Sequence, residues 1–151
     1  MRGDEGSMLV RFHIPGPPTG KGRPRFDPRS RRAITPKKTR DYQAFCGMCG
    51  RMAMSSAGHL EPVEGPVFLR VLALFARPRR IVKGHVLYNR AGRVPLTGGG
   101  PWPDLSNVVK AIEDGLQGVI YRDDCQIWAV EGQRMYGARD EVPGVYVEVW
   151  V

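Results

Sequence analysis

Four polar side chains in the second half of the chain could together hydrolyse a phosphodiester bond: Asp104, Lys110, Asp123 and Asp124. Carboxylates are hard oxygen ligands, and Mg²⁺ in proteins typically binds one or two of them together with waters and substrate phosphate oxygens. A metal ion held in this way can generate hydroxide and stabilise the charge that develops on the phosphate. A nearby lysine can contact that phosphate as a point charge.

Each of these residues also has an ordinary structural interpretation. Asp104 precedes a helical pattern, where aspartate is a favoured N-cap. Asp123 and Asp124 could form a polar turn, and Lys110 could be a solvated lysine on the wet face of a helix. Taken singly, each residue is better explained by its structural role. The chemical interpretation therefore depends on the residues acting together.

The segment that joins these residues is the clearest helix in the sequence. From Asp104 to Leu116 the apolar residues recur at helical spacing and form a single stripe, which consists of Leu105, Val108, Val109, Ile112 and Leu116. Lys110 lies on the opposite, polar side. A reverse turn then leads to Asp123 and Asp124. The sequence therefore predicts that one helix and the loop after it position the site.

Charge is unevenly distributed along the 151 residues, whose net charge is +8. The segment 21–40 has nine Lys and Arg against one acid, and 77–93 has six Lys and Arg and no acid. From residue 104 to 148, nine acids face four bases. Two basic segments beside an acidic cluster indicate a protein that holds phosphates around a metal site. The alternatives are ordinary surface charge and a basic RNA-binding or ribosome-associated module. Such a module does not explain the acidic residues Asp104, Asp123 and Asp124.

The remaining pattern predicts an α+β fold in a single domain, residues 8–151, after a flexible lead at residues 1–7. We expect strands at 9–14, 67–75, 127–133 and 144–151 and helices at 39–54 and 104–116. The order β-α-β-α-β-β suggests one small mixed sheet covered by two helices. Long basic loops, at 15–36 and 78–103, are rich in Pro and Gly. The sequence contains no apolar run of membrane-spanning length, so we expect a cytoplasmic protein with no membrane partner.

Cysteine usage indicates reduced thiols. Three cysteines are an odd and sparse set, which argues against a secreted disulfide framework. Cys46 and Cys49 have the CxxC spacing of a zinc or redox motif, but a single CxxC inside a helical pattern is more often part of the packing.

Two blocks of sequence resemble the RusA family of Holliday junction resolvases. The first block is Asp104-Leu-Ser-Asn-Val-Val-Lys110, then Asp114-Gly-Leu116 and Gly118-Val-Ile-Tyr-Arg-Asp-Asp-Cys-Gln-Ile127. The second is Gly16-Pro-Pro-Thr-Gly-Lys-Gly-Arg-Pro-Arg-Phe26, followed by Thr35-Pro-Lys-Lys-Thr39, which is similar to the basic loop of phage and prophage members. The resemblance runs from about residue 12 to 136, and the blocks occur in the family's order and spacing.

The resemblance implies a homodimeric, Mg²⁺-dependent endonuclease that nicks four-way DNA junctions symmetrically in recombination and repair, with Mn²⁺ as a substitute metal. It implies that Asp104, Lys110 and Asp124 are catalytic. The metal site would draw on Asp104 and Asp124, with Asp123 and Ser106 beside them; adjacent residues on an extended segment point opposite ways, so Asp124 is favoured over Asp123. The DNA-binding residues of the basic loop would be Lys21, Arg23, Arg25, Arg31, Arg32, Lys37 and Lys38.

One position departs from the family pattern. The family usually reads Asp-Leu-Asp-Asn, but Ser106 stands where the second aspartate is expected. The loss of one negative charge leaves open an alternative function, a branched-DNA-binding protein with weak or no cleavage. Asp114 is a poor replacement, because it lies ten residues past Asp104, or about 15 Å along the helix.

Overall fold

The structure, a computed structural model, describes residues 6–78, 92–98 and 100–151 of the chain. Within these ranges it contains seven strands, two α-helices and one 3₁₀ turn. The elements are β1 (Met8–Pro15), β2 (Arg25–Asp27), β3 (Arg32–Ile34), α1 (Lys37–Ser56), β4 (Val67–Phe75), β5 (Val94–Pro95), α2 (Leu105–Leu116), the 3₁₀ turn (Asp124–Gln126), β6 (Ile127–Tyr136) and β7 (Gly144–Trp150).

The main sheet has five strands in the order β1-β7-β4-β6-β5. β4 and β6 are parallel, whereas the other neighbouring pairs are antiparallel. The predicted α+β class with a mixed sheet is therefore confirmed, and the four predicted strands are β1, β4, β6 and β7. The short strand β5 was not predicted, because two residues carry too little pattern to be recognised.

Alternating side chains divide the sheet into a covered face and an open face. In β7, Val145, Val147 and Val149 are fully buried, while the residues between them, including Tyr146, are partly exposed. This is the alternation expected of a strand with one face against the core. The helices lie over the covered face, where α2 contacts both β4 and β6.

The predicted face of α1 was partly wrong. The spacing of Tyr42, Phe45, Cys49 and Met52 predicts this helix, yet Met52 is 66% exposed, whereas Cys46, Gly47 and Gly50 are buried against α2. The reason is close packing between the two helices: a Cβ on Gly47 would lie 2.8 Å from the carbonyl oxygen of Gly115 on α2. The glycines that weaken α1 as an isolated helix are therefore what allow it to approach α2.

The segment 15–36 is more regular than predicted, because it contains the antiparallel hairpin β2–β3. The second predicted basic segment, 77–93, lies mostly outside the described residues, since 79–91 are not among them. The same holds for most of the predicted lead at 1–7. Neither helix of the described ranges has the length and apolar character required to cross a bilayer.

Candidate active site

Asp104 caps the N-terminus of α2. Its Oδ1 accepts a hydrogen bond from the Asn107 N–H at 2.8 Å, so the structural role of an N-cap is present. The side chain is nevertheless exposed, and within the described chain no hydrogen bond involves its second carboxylate oxygen. Asp104 can therefore cap the helix with one oxygen and offer the other to a ligand.

The exposed side of α2 carries a polar stripe that runs from Ser106 through Lys110 and Glu113 to Gln117. Spacings of three and four residues place these side chains on one face of the helix. Ser106 and Lys110 are exposed, and Glu113 is half-buried. Burial is the main cause that raises the pKa of the Glu113 carboxyl, and the positive charge of Lys110 opposes it. The negative charge of Asp124 raises this pKa further, which shows that Asp124 lies within electrostatic reach of the stripe.

The two carboxylates after α2 have different environments. Asp123 is the N-cap of the 3₁₀ turn, and its Oδ1 accepts a hydrogen bond from the Cys125 N–H at 2.9 Å. That hydrogen bond lowers the pKa of Asp123. Asp124 is exposed at the first position of the turn, and its N–H donates to Gln117 Oε1 at 3.3 Å. The local use of Asp123 as a cap favours Asp124 as the carboxylate that meets a ligand.

Gln126 holds this turn in place through all four hydrogen-bonding positions of its amide. Its Oε1 accepts from the N–H groups of Arg122 at 2.8 Å and Asp123 at 3.0 Å. Its Nε2 donates to the carbonyls of Val63 at 2.9 Å and Gly65 at 3.0 Å. The sequence interpretation missed Gln126, although Asp and Gln three residues apart have the spacing of a capping box and could have revealed it.

Asp104 and Asp124 lie toward opposite ends of α2. Asp104 caps the N-terminus. The N–H of Asp124 donates to the side chain of Gln117, a residue that lies thirteen positions, or about 20 Å, farther along the helix axis than Asp104. Within the part of the chain that the structure describes, no three His, Cys, Asp or Glu side chains are close enough together to hold a metal ion. One protomer thus places the two predicted metal-binding carboxylates near opposite ends of α2.

The basic loop is fastened to this helix by Lys21. The Lys21 N–H donates to the Asn107 carbonyl at 3.0 Å, and its Nζ forms an ion pair with Asp114 Oδ2 at 2.8 Å. A second attachment joins the loop to α1, where Thr39 Oγ1 accepts from the Gly22 N–H at 2.9 Å. Lys21, predicted to bind DNA, is therefore an anchor whose charge is already balanced. Asp114, judged a poor metal ligand, is occupied by this ion pair.

A cleft of about 380 Å³ lies where the loop meets the N-termini of both helices. Its lining includes Thr19, Lys38, Trp102 and Asn107. The cleft therefore lies between the basic loop and the end of α2 that Asp104 caps.

The other six predicted DNA-binding residues are all exposed: Arg23, Arg25, Arg31, Arg32, Lys37 and Lys38. Lys37 and Lys38 occupy the first turn of α1, which has no acidic residue and no side-chain cap. Cations are unfavourable at a helix N-terminus, which carries a partial positive charge and attracts anions. An ion pair between Lys37 Nζ and Asp41 Oδ2 at 2.7 Å offsets part of this mismatch. A phosphate group against the turn would relieve the rest, which favours the predicted contact with a nucleic-acid backbone.

The CxxC pair belongs to the packing of the core. Cys46 is fully buried in the core, and burial raises the pKa of its thiol to about 12. A thiol in this state is a poor metal ligand, because metals bind the thiolate. The packing interpretation of Cys46 and Cys49 thus fits the structure.

Two comparisons with known proteins bear on the identity of the chain. It is similar to an uncharacterised protein of Bacillus subtilis (strain 168), YqaN, with 24% identity over 147 residues that cover 93% of this chain and 96% of YqaN. The family model of endodeoxyribonuclease RusA matches residues 15–150, nearly the whole chain and both sequence blocks described above. The chain belongs to the RusA endodeoxyribonuclease family.

Proposed function

We propose that this chain forms a homodimer that resolves four-way DNA junctions by paired, Mg²⁺-dependent hydrolysis of phosphodiester bonds. Family membership makes it an endodeoxyribonuclease and implies Holliday junction resolvase activity. The proposal adds the metal, the oligomeric state and the roles of individual residues. The observation that carries it is the attachment of the basic loop to the acidic helix, through both the backbone and the side chain of Lys21.

Asp104 and Asp124 would hold the Mg²⁺. Both side chains are exposed and supply the hard oxygen donors that Mg²⁺ prefers. Because Mg²⁺ keeps several waters and also binds phosphate oxygens, one or two protein carboxylates are sufficient. When bound, the ion supplies a nucleophilic hydroxide and a positive charge for the phosphate. Mn²⁺ has similar ligand preferences and is expected to replace it.

The remaining residues of the stripe orient the DNA. Lys110 projects from the exposed side of α2 and would bind a phosphate next to the bond that is cut. Ser106 can donate its hydroxyl to a phosphate oxygen or to a bound water, but it adds no negative charge. The exposed arginines and lysines of the loop would hold the flanking backbone, mostly without reading its sequence.

A homodimer follows from the substrate and from the layout of the site. A four-way junction has approximate two-fold symmetry, and an isologous dimer presents two equivalent sites to two equivalent strands. Asp104 and Gln117, whose side chain accepts from the Asp124 N–H, lie toward opposite ends of α2. This separation further supports two chains, because Asp104 of one protomer and Asp124 of the other can share one ion.

A branched-DNA-binding protein with little cleavage is the second candidate. Two observations favour it: Ser106 in place of a family aspartate, and the lack of three clustered metal-binding side chains in residues 6–78, 92–98 and 100–151. In this second function the basic loop still binds a four-way junction, but α2 has no role in hydrolysis.

Incubation of the protein with a synthetic mobile four-way junction and a matched duplex, in Mg²⁺ or in EDTA, separates the two candidates. The proposed function predicts paired nicks in the junction that require Mg²⁺ and are lost in Asp124→Asn. Tight binding without cutting by the native chain, together with cutting by Ser106→Asp, would replace the enzyme with the binder. Absence of junction binding would overturn both.

A further inference from the structure

The hairpin β2–β3 projects from the basic loop and presents an aromatic ring to solvent. Phe26 pairs with Ala33 across the hairpin and is 67% exposed. Within residues 6–78, 92–98 and 100–151, the only extensive contacts of β2 and β3 are with each other. The small side chain opposite Phe26 leaves the ring uncovered, so the ring does not contribute to the core.

The turn of the hairpin uses the one acidic residue of segment 21–40. Asp27 Oδ1 accepts from the Arg29 N–H at 3.0 Å, and Oδ2 accepts from the Ser30 hydroxyl at 2.8 Å. The hydrogen bond from that hydroxyl lowers the pKa of Asp27. The turn also places Arg31 in the left-handed region, with φ of 54°. The carboxylate therefore shapes the turn, and the surface around Phe26 is otherwise cationic.

The charged residues near the ring determine the chemistry of its partner. Arg25, Arg29, Arg31 and Arg32 are all exposed on the hairpin. An aromatic ring among arginines is the combination that binds single-stranded nucleic acid, in which bases stack on the ring and the cations hold the phosphates. An apolar protein partner would instead require a larger uncharged surface around the ring.

We propose that Phe26 stacks on a DNA base that is unpaired at the crossover of a four-way junction, while the exposed arginines of the hairpin attract the neighbouring phosphates. This inference rests on the proposed function, because the crossover is where that substrate breaks the continuous stacking of a duplex. A base in the middle of a duplex arm is already stacked on both sides and offers no free face. Phe26 thus distinguishes a junction from ordinary duplex, whereas the arginines attract both.

The test places the fluorescent base 2-aminopurine either at the crossover or in the middle of an arm. Stacking on neighbouring nucleobases quenches 2-aminopurine, whereas a phenylalanine ring is a poor quencher, so the fluorescence rises when the ring replaces a neighbouring base. In EDTA, where the metal site has no part, the native protein is expected to raise the fluorescence at the crossover only. Phe26→Ala should abolish the rise, whereas Phe26→Trp should keep the preference for junction over duplex, which is read from binding constants because an indole stacked on 2-aminopurine quenches its fluorescence.

Binding constants give a second readout. Phe26→Ala is expected to lower the preference for junction over duplex by about 5-fold or more, since stacking of one base on an aromatic side chain is worth at least ~1 kcal/mol and 1.36 kcal/mol corresponds to tenfold. Ile34→Ala is the matched control: Ile34 is also exposed on the hairpin, but adjacent strand residues face opposite ways, so it lies on the face away from Phe26. The control should behave like the native chain.

The possible failures are distinguishable. If the native chain binds the junction but Phe26→Ala keeps the fluorescence rise, or weakens junction and duplex equally, the inference is wrong and the proposed function stands. If Ile34→Ala has the same effect as Phe26→Ala, the ring only maintains the hairpin and the inference is wrong. Failure to bind any junction, or tighter binding to single-stranded RNA, overturns the inference together with the proposed function.

Discussion

Replacement of Gln126 by glutamate tests whether the turn after α2 is held as the structure indicates. The new side chain would match Gln126 in size and could still accept hydrogen bonds from the N–H groups of Arg122 and Asp123. It would lose both donors, and a carboxylate oxygen would then face the carbonyls of Val63 and Gly65. The substitution therefore separates the turn from segment 63–65 while leaving its own capping bonds intact.

The expected cost follows from the two hydrogen bonds that are lost. Each contributes a net ~0.5 to 1.5 kcal/mol, so we expect the free energy of unfolding to fall by about 2 kcal/mol. For a chain of this size, 1 kcal/mol corresponds to roughly 2 to 4 °C in Tm, which gives a decrease of about 4 to 8 °C. Gln133→Glu adds the same charge at an exposed position of β6 and should leave Tm nearly unchanged.

A shift in the Mg²⁺ requirement distinguishes a positioning residue from one that only stabilises the fold. Because Gln126 fixes the backbone next to Asp124, the Mg²⁺ concentration for half-maximal cleavage should rise about 10-fold in Gln126→Glu, as is typical when a partner of a metal ligand is altered. Junction binding in EDTA should not change. An unchanged Tm would refute the structural reasoning, and a lowered Tm with an unchanged Mg²⁺ requirement would refute the link between Gln126 and Asp124.

Three further predictions concern α2 and the elements packed against it. Asp104→Asn should retain the N-cap and the free energy of unfolding but lose cleavage, whereas Asp104→Ala should also cost about 1 kcal/mol in chemical denaturation; equal stability of the two variants would argue against the cap. Gly47→Ala should lower the free energy of unfolding by about 1 kcal/mol, because the added methyl group overpacks against Gly115 by more than the gain in helix propensity returns. A higher free energy of unfolding would show that the two helices can separate at no cost. Lys38→Ala should reduce the slope of log junction affinity against log salt concentration by about 1. Lys21→Ala should change this slope little, because Asp114 already balances the charge of Lys21. Equal effects of the two variants in a salt titration would contradict the anchoring role of Lys21.

The sequence predicted the elements in which buried side chains recur at one regular spacing. The apolar stripe of α2 and the strand β7 were predicted and confirmed, because in both elements one face meets the core. The buried face of α1 was not, since it depends on a close approach between Gly47 and Gly115, and the absence of a side chain leaves no hydrophobic signal. The hairpin β2–β3 was also missed, because it is stabilised by the local bonds of Asp27 in a segment where proline suggests irregular structure.

The sequence predicted which residues form the candidate site but not where they lie relative to one another. The motif identified Asp104, Lys110 and Asp124, and the helix between them was predicted correctly. The position of Asp124 relative to α2 depends on the hydrogen bond from its N–H to the side chain of Gln117, which has no signal in the pattern of charges. Their roles in binding metal and DNA remain proposals for the experiments described above.

Cutting of a supercoiled plasmid that extrudes a cruciform tests the central claim most directly. A dimer that makes two symmetric nicks within the lifetime of one complex should convert the plasmid to a linear form in Mg²⁺. The same plasmid without the inverted repeat should stay intact, as should the cruciform plasmid with Asp124→Asn. Nicked circles alone, or equal cutting of both plasmids, would contradict the account of a dimeric, structure-specific junction resolvase.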